Sequence, residues 1–186
     1  MPATPDNPSP VLLHICCAPC AVACVDSLRE EGYAPTGFWY NPNIHPFAEY
    51  RSRKSALEDY SQSIGLPLIM RDEYGLRPFV QAVSREIDAR CAYCYDVRMR
   101  AAASHAAHSG FPFFTSTLLI SPYQSHTLLI ESAERAAAAF GVAFLYCDFR
   151  PLFRAGQQEA REHGMYMQKY CGCIFSEEER YRKAHK

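Results

Sequence analysis

A chain of 186 residues with 48% hydrophobic content is long enough to bury one substantial core, and a formal net charge of −1 does not by itself indicate a nucleic-acid partner. The longest apolar stretch, residues 136–146, is shorter than the ~18 residues that a membrane-crossing helix needs. We therefore expect a soluble protein with no membrane partner, built as a flexible leader over residues 1–10 and a single α/β domain over residues 11–186.

The predicted elements alternate between strands and helices along the chain. Strands are predicted over residues 11–15, 36–40, 66–70, 111–116 and 142–146. Helices are predicted over residues 19–31, 47–64, 74–87, 97–108, 128–140 and 154–163. Residues 171–175 are predicted to form a loop or short strand, and Ser176 to cap a last helix that runs through Glu179.

This alternation predicts a mostly parallel sheet with helices on both faces. Ligands of such sheets bind beyond the carboxyl ends of the strands. The segments that follow four of the predicted strands are chemically rich, namely residues 16–20, 41–45, 115–124 and 147–148. The sequence therefore predicts a site at this edge of the sheet.

Nine cysteines and no secretory signal indicate a reducing compartment, which we expect to be the cytoplasm. Clustered thiols in that setting more often bind metal or perform redox chemistry than form disulfides. The segment from Cys16 to Cys20 lies at a strand-to-helix turn, where backbone N–H groups and the helix dipole stabilise thiolates. A ligating or reactive role is therefore predicted there.

Adjacent cysteines point to opposite sides of an extended backbone, so Cys16 and Cys17 would strain the chain if both bound one tetrahedral zinc ion. In a 4Fe-4S cluster each thiolate reaches its own iron, and four are needed. A second pair with ligand spacing, Cys91 and Cys94, completes that number. We therefore predict a cluster held by these four residues.

A second predicted metal site has three protein ligands. Cys171 and Cys173 lie two residues apart around a glycine, and Cys20 would be the third ligand. Three ligands leave one position open, as in catalytic rather than structural metal sites. Cys24 and Cys147 have no partner at ligand spacing and are predicted to pack in the core.

Two other interpretations of the cysteines stay open at this point. Cys17 and Cys20 have the spacing of a thioredoxin-like redox pair. The same two residues together with Cys91 and Cys94 could also hold a structural zinc ion. The zinc interpretation predicts a colourless protein and leaves the other three motif cysteines unexplained.

Five blocks in order resemble the epoxyqueuosine reductases of the QueH type. They are residues 13–20 (LHICCAPC), residues 40–46 (YNPNIHP) with Glu49 and Tyr50, residues 90–95 (RCAYCY), residues 115–124, and residues 168–176 (QKYCGCIFS). The resemblance covers nearly the whole chain. It implies a Rossmann-like fold similar to the adenine nucleotide alpha hydrolase (HUP-like) group, a 4Fe-4S cluster and a mononuclear iron beside it.

The resemblance also implies ligands and a reaction. Cys16, Cys17, Cys91 and Cys94 match the cluster ligands, and Cys20, Cys171 and Cys173 match the ligands of the separate iron. The implied reaction removes the epoxide oxygen of epoxyqueuosine at the tRNA wobble position, with two electrons from an unidentified donor, for which a ferredoxin or flavodoxin is a candidate. Some relatives carry Asp in place of Cys20, so an all-sulfur site would be less Lewis acidic.

Further residues are predicted from their place beside these motifs. Besides Cys20, the candidate catalytic residues are Tyr123, His45 and Asp96, with Tyr93 as another possible acid. Candidates for binding the tRNA bases and phosphates are Tyr40, Tyr50, Arg51, Arg53, Arg98 and Lys169. A solvated surface charge is the simpler interpretation of each arginine, and core packing is an equal alternative for Tyr40.

Two other functions are weighed against the reductase. An ATP-pyrophosphatase-like tRNA thiolation enzyme would have a similar fold, but it would need a glycine-rich phosphate loop where this chain has Cys16 to Cys20. A structural zinc-binding module would show stoichiometric zinc and no iron.

Overall fold

The structure is a computed structural model that describes residues 8–182, and it contains one five-stranded parallel sheet. The strands are β1 (Ser9–His14), β2 (Tyr33–Trp39), β3 (Leu68–Met70), β4 (Phe113–Ser116) and β5 (Ala143–Phe144). Their order across the sheet is β3-β2-β1-β4-β5, and every neighbouring pair is parallel. The predicted α/β class with a parallel sheet is confirmed.

Seven α-helices connect and flank the strands within the described residues. They are α1 (Ala18–Glu30), α2 (Phe47–Ser63), α3 (Leu76–Val83), α4 (Arg90–His108), α5 (His126–Phe140), α6 (Phe153–Glu162) and α7 (Ile174–Arg182). α1 packs against α6, and α4 packs against α5. None of the helices in residues 8–182 has the length and apolar character that crossing a membrane requires.

The order of the strands explains why helices cover both faces. The chain moves from β1 to β2 in one direction across the sheet and from β3 to β4 in the opposite direction. Because parallel crossovers are right-handed, reversing the direction puts the connecting helices on the opposite face. The central strand β1 is consequently enclosed, and Val11, Leu12 and Leu13 are completely buried.

The strand order reverses between β1 and β4, and the functional segment begins there. At such a switch point the loops that leave two neighbouring strands diverge and open a crevice at their carboxyl ends. Cys16 follows β1 and Thr117 follows β4, and the backbone N–H of Cys16 donates a hydrogen bond to Oγ1 of Thr117 at 3.2 Å. The segment with the first cysteine motif therefore lies beyond the carboxyl ends of the strands, where the alternation of strands and helices predicts a site.

The observed elements differ from the predicted ones at several ends. α4 begins at Arg90 rather than at residue 97, because the buried positions Tyr95, Arg98 and Met99 continue the helical spacing through the cysteine pair. α7 begins at Ile174, so Ser176 lies inside its first turn, where its hydroxyl donates to the carbonyl of Cys173. β1 begins at Ser9, inside the predicted leader, whose first seven residues lie outside the described part of the chain.

Candidate functional site

Three cysteine sulfurs meet at the N-terminus of α1. The Sγ atoms of Cys16, Cys17 and Cys20 all lie within 4.8 Å of one another, and all three residues are buried. Cys17 is the residue that precedes the first turn of α1, with an extended backbone (φ −172°, ψ 158°), and Cys20 is the third residue of the helix. A side chain at the capping position points back over the third residue, so this turn brings the two sulfurs together.

The charge state of this triad favours one anionic sulfur. Hydrogen bonds from the thiols of Cys17 and Cys20 lower the pKa of Cys16 well below its usual value, and the positive charge of Arg98 acts in the same direction. Burial and the neighbouring Cys16 raise the pKa of Cys17. The anionic form of Cys16 is therefore favoured over that of Cys17 or Cys20. A soft metal ion that displaces the protons of the other two thiols would meet three sulfur ligands, so the donor set fits a thiophilic metal.

Four more cysteines lie on α4 and on the segment before α7. Burial raises the pKa of Cys94 to about 11, the positive charge of Arg98 opposes that rise, and Cys173 and Cys91 add to it. A hydrogen bond from the Cys173 thiol lowers the pKa of Cys171 to about 6. Among residues 8–182, the ligand atoms of Cys16, Cys17 and Cys20 form the one group of three or more that meets within 4.8 Å, and the other four motif cysteines do not join it.

The observed grouping divides these seven sulfurs differently from the predicted ligand sets. Cys20 lies with Cys16 and Cys17, whereas Cys91 and Cys94, predicted to join that pair, and Cys171 and Cys173, predicted to join Cys20, do not belong to this group. The buried Arg98 reaches Cys94 through Asn43, because its Nε donates to Oδ1 of Asn43 and Nδ2 of Asn43 donates to the sulfur of Cys94. Its positive charge also lowers the pKa values of Cys16 and Cys94.

Three of these sulfurs also receive hydrogen bonds from polar side chains that the sequence reasoning did not single out. Nδ2 of Asn43 donates to the sulfur of Cys94, Oγ1 of Thr117 donates to Cys16 at 3.5 Å, and Nε2 of Gln168 donates to Cys20 at 3.5 Å. Such donors orient a ligating sulfur and reduce its charge density. All three lie in segments that the motif analysis had already marked, so their position after strands or beside cysteines was the available signal.

Three of the predicted tRNA contacts are instead buried inside the protein. Arg53 is 1% exposed and Arg98 is 2% exposed, so neither guanidinium can reach an RNA phosphate. Nε of Arg98 donates to Oδ1 of Asn43 at 2.8 Å. Tyr50 is 2% exposed, and its hydroxyl donates to Asp72. In this structure, polar groups of all three side chains bind other parts of the chain.

Arg53 fastens the cysteine-bearing C-terminal segment to α2. Its Nε pairs with Glu49 at 2.7 Å, and its two terminal nitrogens each donate at 3.0 Å to the carbonyls of Tyr170 and Cys171. Its charge also lowers the pKa of Cys17, against the larger effects of burial and of Cys16. The buried guanidinium of Arg53 therefore positions the segment that carries Cys171, and its charge also acts on Cys17.

The other three predicted RNA contacts differ in exposure. Tyr40 is 9% exposed, and the guanidinium of Arg71 lies over its ring at 4.3 Å. This burial favours the alternative that Tyr40 packs in the core. Arg51 is exposed and lines a groove of about 830 Å³ between α2 and the segment after α6, which no cysteine lines. Lys169 is exposed and stands between Gln168 and Tyr170, beside the cysteine site.

His45 is a structural connector rather than a free acid. Its Nε2 lies 3.2 Å from the carbonyl of Pro42 and must donate to it, and its Nδ1 accepts from the backbone N–H of Ile174 at 3.3 Å. Burial lowers the pKa of His45 to about 4, so the ring is neutral at physiological pH. Its one ring proton is engaged in the hydrogen bond to the carbonyl of Pro42.

This neutral, buried ring makes the stability of the metal-free protein depend on pH. In the unfolded chain His45 titrates near ~6.5, above its folded value of about 4, so the unfolded state binds more protons between these values. The contribution of neutral His45 to the free energy of unfolding should therefore have its full value above pH ~6.5 and decrease as the pH is lowered toward 4. Denaturant titrations of His45→Asn, which keeps an acceptor for Ile174, should show a shallower fall. His163→Asn, at an exposed position, should retain the original slope, and an unchanged slope in His45→Asn would contradict the assignment.

The two other predicted acids stand away from the sulfurs. Asp96 is two residues from Cys94 on α4, about 200° around the helix, so it faces away from that sulfur. Tyr123 is 85% exposed in the turn before α5. That turn is attached to α4 because the hydroxyl of Tyr95 donates to Gln124 at 2.6 Å.

The two cysteines without ligand spacing do not join the triad. Cys24 is completely buried in α1, and burial raises the pKa of its thiol well above the usual value. Cys147 is half-buried after β5, and burial raises its pKa to about 11. Both pack against the hydrophobic core, in keeping with the predicted packing role.

Comparison with known proteins matches most of the chain to a family. A family model described as epoxyqueuosine reductase QueH matches residues 11–179. The epoxyqueuosine reductase QueH of Dehalococcoides mccartyi is 40% identical over 173 residues, which cover 93% of this chain and 95% of that protein. The proteins of the same name from Haemophilus influenzae and Thermotoga maritima are 34% and 31% identical and cover 92% and 93% of this chain; the matches span 73% and 93% of those two proteins.

A solved structure supports the fold. A protein described as a predicted subunit of tRNA methyltransferase from Methanocaldococcus jannaschii superposes with a TM-score of 0.51, covering 82% of this chain and 76% of that one. The identity is 12%, so this similarity concerns the backbone arrangement alone. It agrees with the predicted α/β arrangement of a parallel sheet with helices on both faces.

Proposed function

The chain belongs to the epoxyqueuosine reductase QueH family, and from that membership we propose how its cysteines act on epoxyqueuosine in tRNA. As an epoxyqueuosine reductase it is an oxidoreductase. The reaction breaks both C–O bonds of the epoxide, consumes two electrons and two protons, and releases the oxygen as water. The observation that carries the proposal is the meeting of three buried cysteine sulfurs, those of Cys16, Cys17 and Cys20, at the switch point of the sheet.

The proposed cofactors are a 4Fe-4S cluster and a separate iron. Cys16, Cys17, Cys91 and Cys94 would hold the cluster, and Cys20, Cys171 and Cys173 would hold the iron. The closeness of Cys20 to the first pair supports two adjoining metals, because one group of sulfurs then borders both. When bound, these groups would supply single electrons and a Lewis acid for the epoxide oxygen.

The protein's own residues would balance the charge of these ligands. Several thiolates in a buried site repel one another, and the buried guanidinium groups of Arg53 and Arg98 offset that repulsion. Asn43, Thr117 and Gln168 would hold three sulfurs in fixed directions through their hydrogen bonds. Such fixed donors allow the site to change its redox state with little rearrangement.

Substrate binding and protonation would fall to the exposed side chains at the rim. Lys169, which is exposed, would meet a phosphate of the anticodon loop. Tyr93 carries an exposed side chain between Cys91 and Cys94 on α4, and we propose its hydroxyl as the proton donor. The substrate tRNA and a reducing compartment for the thiols are both consistent with a cytoplasmic location, and the electron donor would be a ferredoxin or flavodoxin.

The deciding experiment is anaerobic reconstitution with iron and sulfide followed by incubation with epoxyqueuosine-containing tRNA and a chemical reductant. Mass spectrometry of the nucleosides should show loss of one oxygen from epoxyqueuosine. The same preparation without reductant is the control and should leave the nucleoside unchanged. An iron-loaded protein that fails to convert the tRNA would refute the proposal, and stoichiometric zinc with no iron would favour a structural zinc module.

A further inference from the structure

Gln168 lies in the segment that crosses the site between α6 and the cysteine pair before α7. Its Nε2 is 3.5 Å from Sγ of Cys20, 148 residues away along the chain. A thiolate can only accept hydrogen bonds, so the amide must direct its N–H at a metal-bound Cys20 sulfur. The contact is the sole side-chain hydrogen bond to Cys20 from outside the triad among residues 8–182.

The other end of the same amide is buried without a partner. Oε1 of Gln168 has no hydrogen-bond donor within the described residues, although it is shielded from solvent. Burying an acceptor without a donor costs stability, so the position of this side chain is not explained by folding. Groups that are held at a cost in stability are typical of functional sites.

We infer that Gln168 is a positioning residue that holds the Cys20 sulfur through an N–H···S hydrogen bond and thereby tunes the metal that Cys20 binds. The inference rests on the proposed metal role of Cys20. The amide withdraws charge from the sulfur and restricts its direction, so its loss should weaken metal binding and raise the energy of the sulfur lone pairs. Removing an outer partner of a metal ligand typically costs about 10–100-fold in metal affinity.

The test uses Co(II), which gives sulfur-to-metal charge-transfer absorption, added to the metal-free full-length chain under anaerobic conditions. Cys20→Ser first identifies the part of the absorption that depends on the Cys20 sulfur. Gln168→Met keeps the length of the side chain and removes its hydrogen-bond donor. In this variant the Cys20-dependent charge-transfer absorption should move to longer wavelength, and the Co(II) affinity should fall by about 10-fold or more. The melting temperature of the metal-free variant should not decrease.

Gln158→Met is the matched control, because Gln158 is an exposed glutamine on α6 that bonds only to Glu162. It should leave the absorption and the affinity unchanged. An unchanged band in Gln168→Met overturns the inference, as does a band that Cys20→Ser does not alter. A change accompanied by a lower melting temperature of the metal-free protein also overturns it, because the side chain would then have a folding role.

The Co(II) measurement requires neither iron nor tRNA. A negative result would therefore leave the reductase proposal standing, and the nucleoside assay could fail while the Gln168 effect is observed.

Discussion

Cys17→Ser should abolish metal binding at the triad and with it the reduction of epoxyqueuosine. A serine hydroxyl does not ionise near neutral pH, so one of three converging anionic ligands is lost, and the metal affinity should fall by more than about 100-fold. Iron and sulfide per chain after anaerobic reconstitution, together with turnover of tRNA, measure the effect.

The position of Cys17 makes this substitution unusually informative. Cys17 caps α1 without any side-chain hydrogen bond, and serine is among the preferred residues at that position. The variant should therefore fold at least as well as the original chain, so lost activity is not explained by misfolding. Cys147→Ser, at a half-buried cysteine outside the triad, should retain iron and activity. Iron binding by Cys17→Ser at the original affinity would remove Cys17 from the ligand set.

Arg53→Met should strongly destabilise the metal-free protein. The substitution removes the partner of the buried Glu49 carboxylate and releases the carbonyls of Tyr170 and Cys171. Breaking a buried ion pair by removing one member typically costs about 3–5 kcal/mol. Denaturant unfolding measures this loss in the free energy of unfolding.

Two further variants separate the causes. Glu49→Gln combined with Arg53→Met removes both charges, so the double variant should be less destabilised than Arg53→Met alone. Arg51→Met, two residues away on the exposed face of α2, should change stability by no more than about 0.5 kcal/mol. If Arg53→Met cost as little as Arg51→Met, the buried pair would not anchor the C-terminal segment.

Arg53 also shows why RNA contacts were difficult to predict. An arginine on a charged helix is most often solvated, and a tRNA substrate suggested phosphate contact, but this one is 1% exposed. Besides Glu49 on the same helix, its bonding partners are 117 and 118 residues away along the chain. Local pattern distinguishes the faces of a helix, but it does not show which distant segment covers one of them.

The sequence alone was sufficient to locate the strands, the alternating helices and the edge of the sheet where the cysteines collect. Those features depend on local periodicity and on the general rule that parallel strands open their loops at one edge. The five motif blocks were sufficient to indicate the family. The predicted start of α4 at residue 97 is later than the observed start at Arg90. The cysteine pair resembles a separate motif, although the helical spacing of buried residues runs through it.

Only the tertiary structure decided which sulfurs are neighbours and which polar groups serve them. The closeness of Cys20 to Cys17 follows from a helix cap, but the contacts of Gln168 with Cys20 and of Thr117 with Cys16 join residues more than 100 positions apart. Such contacts depend on how the sheet and the C-terminal segment pack. Packing is set by the whole core rather than by any local run of residues.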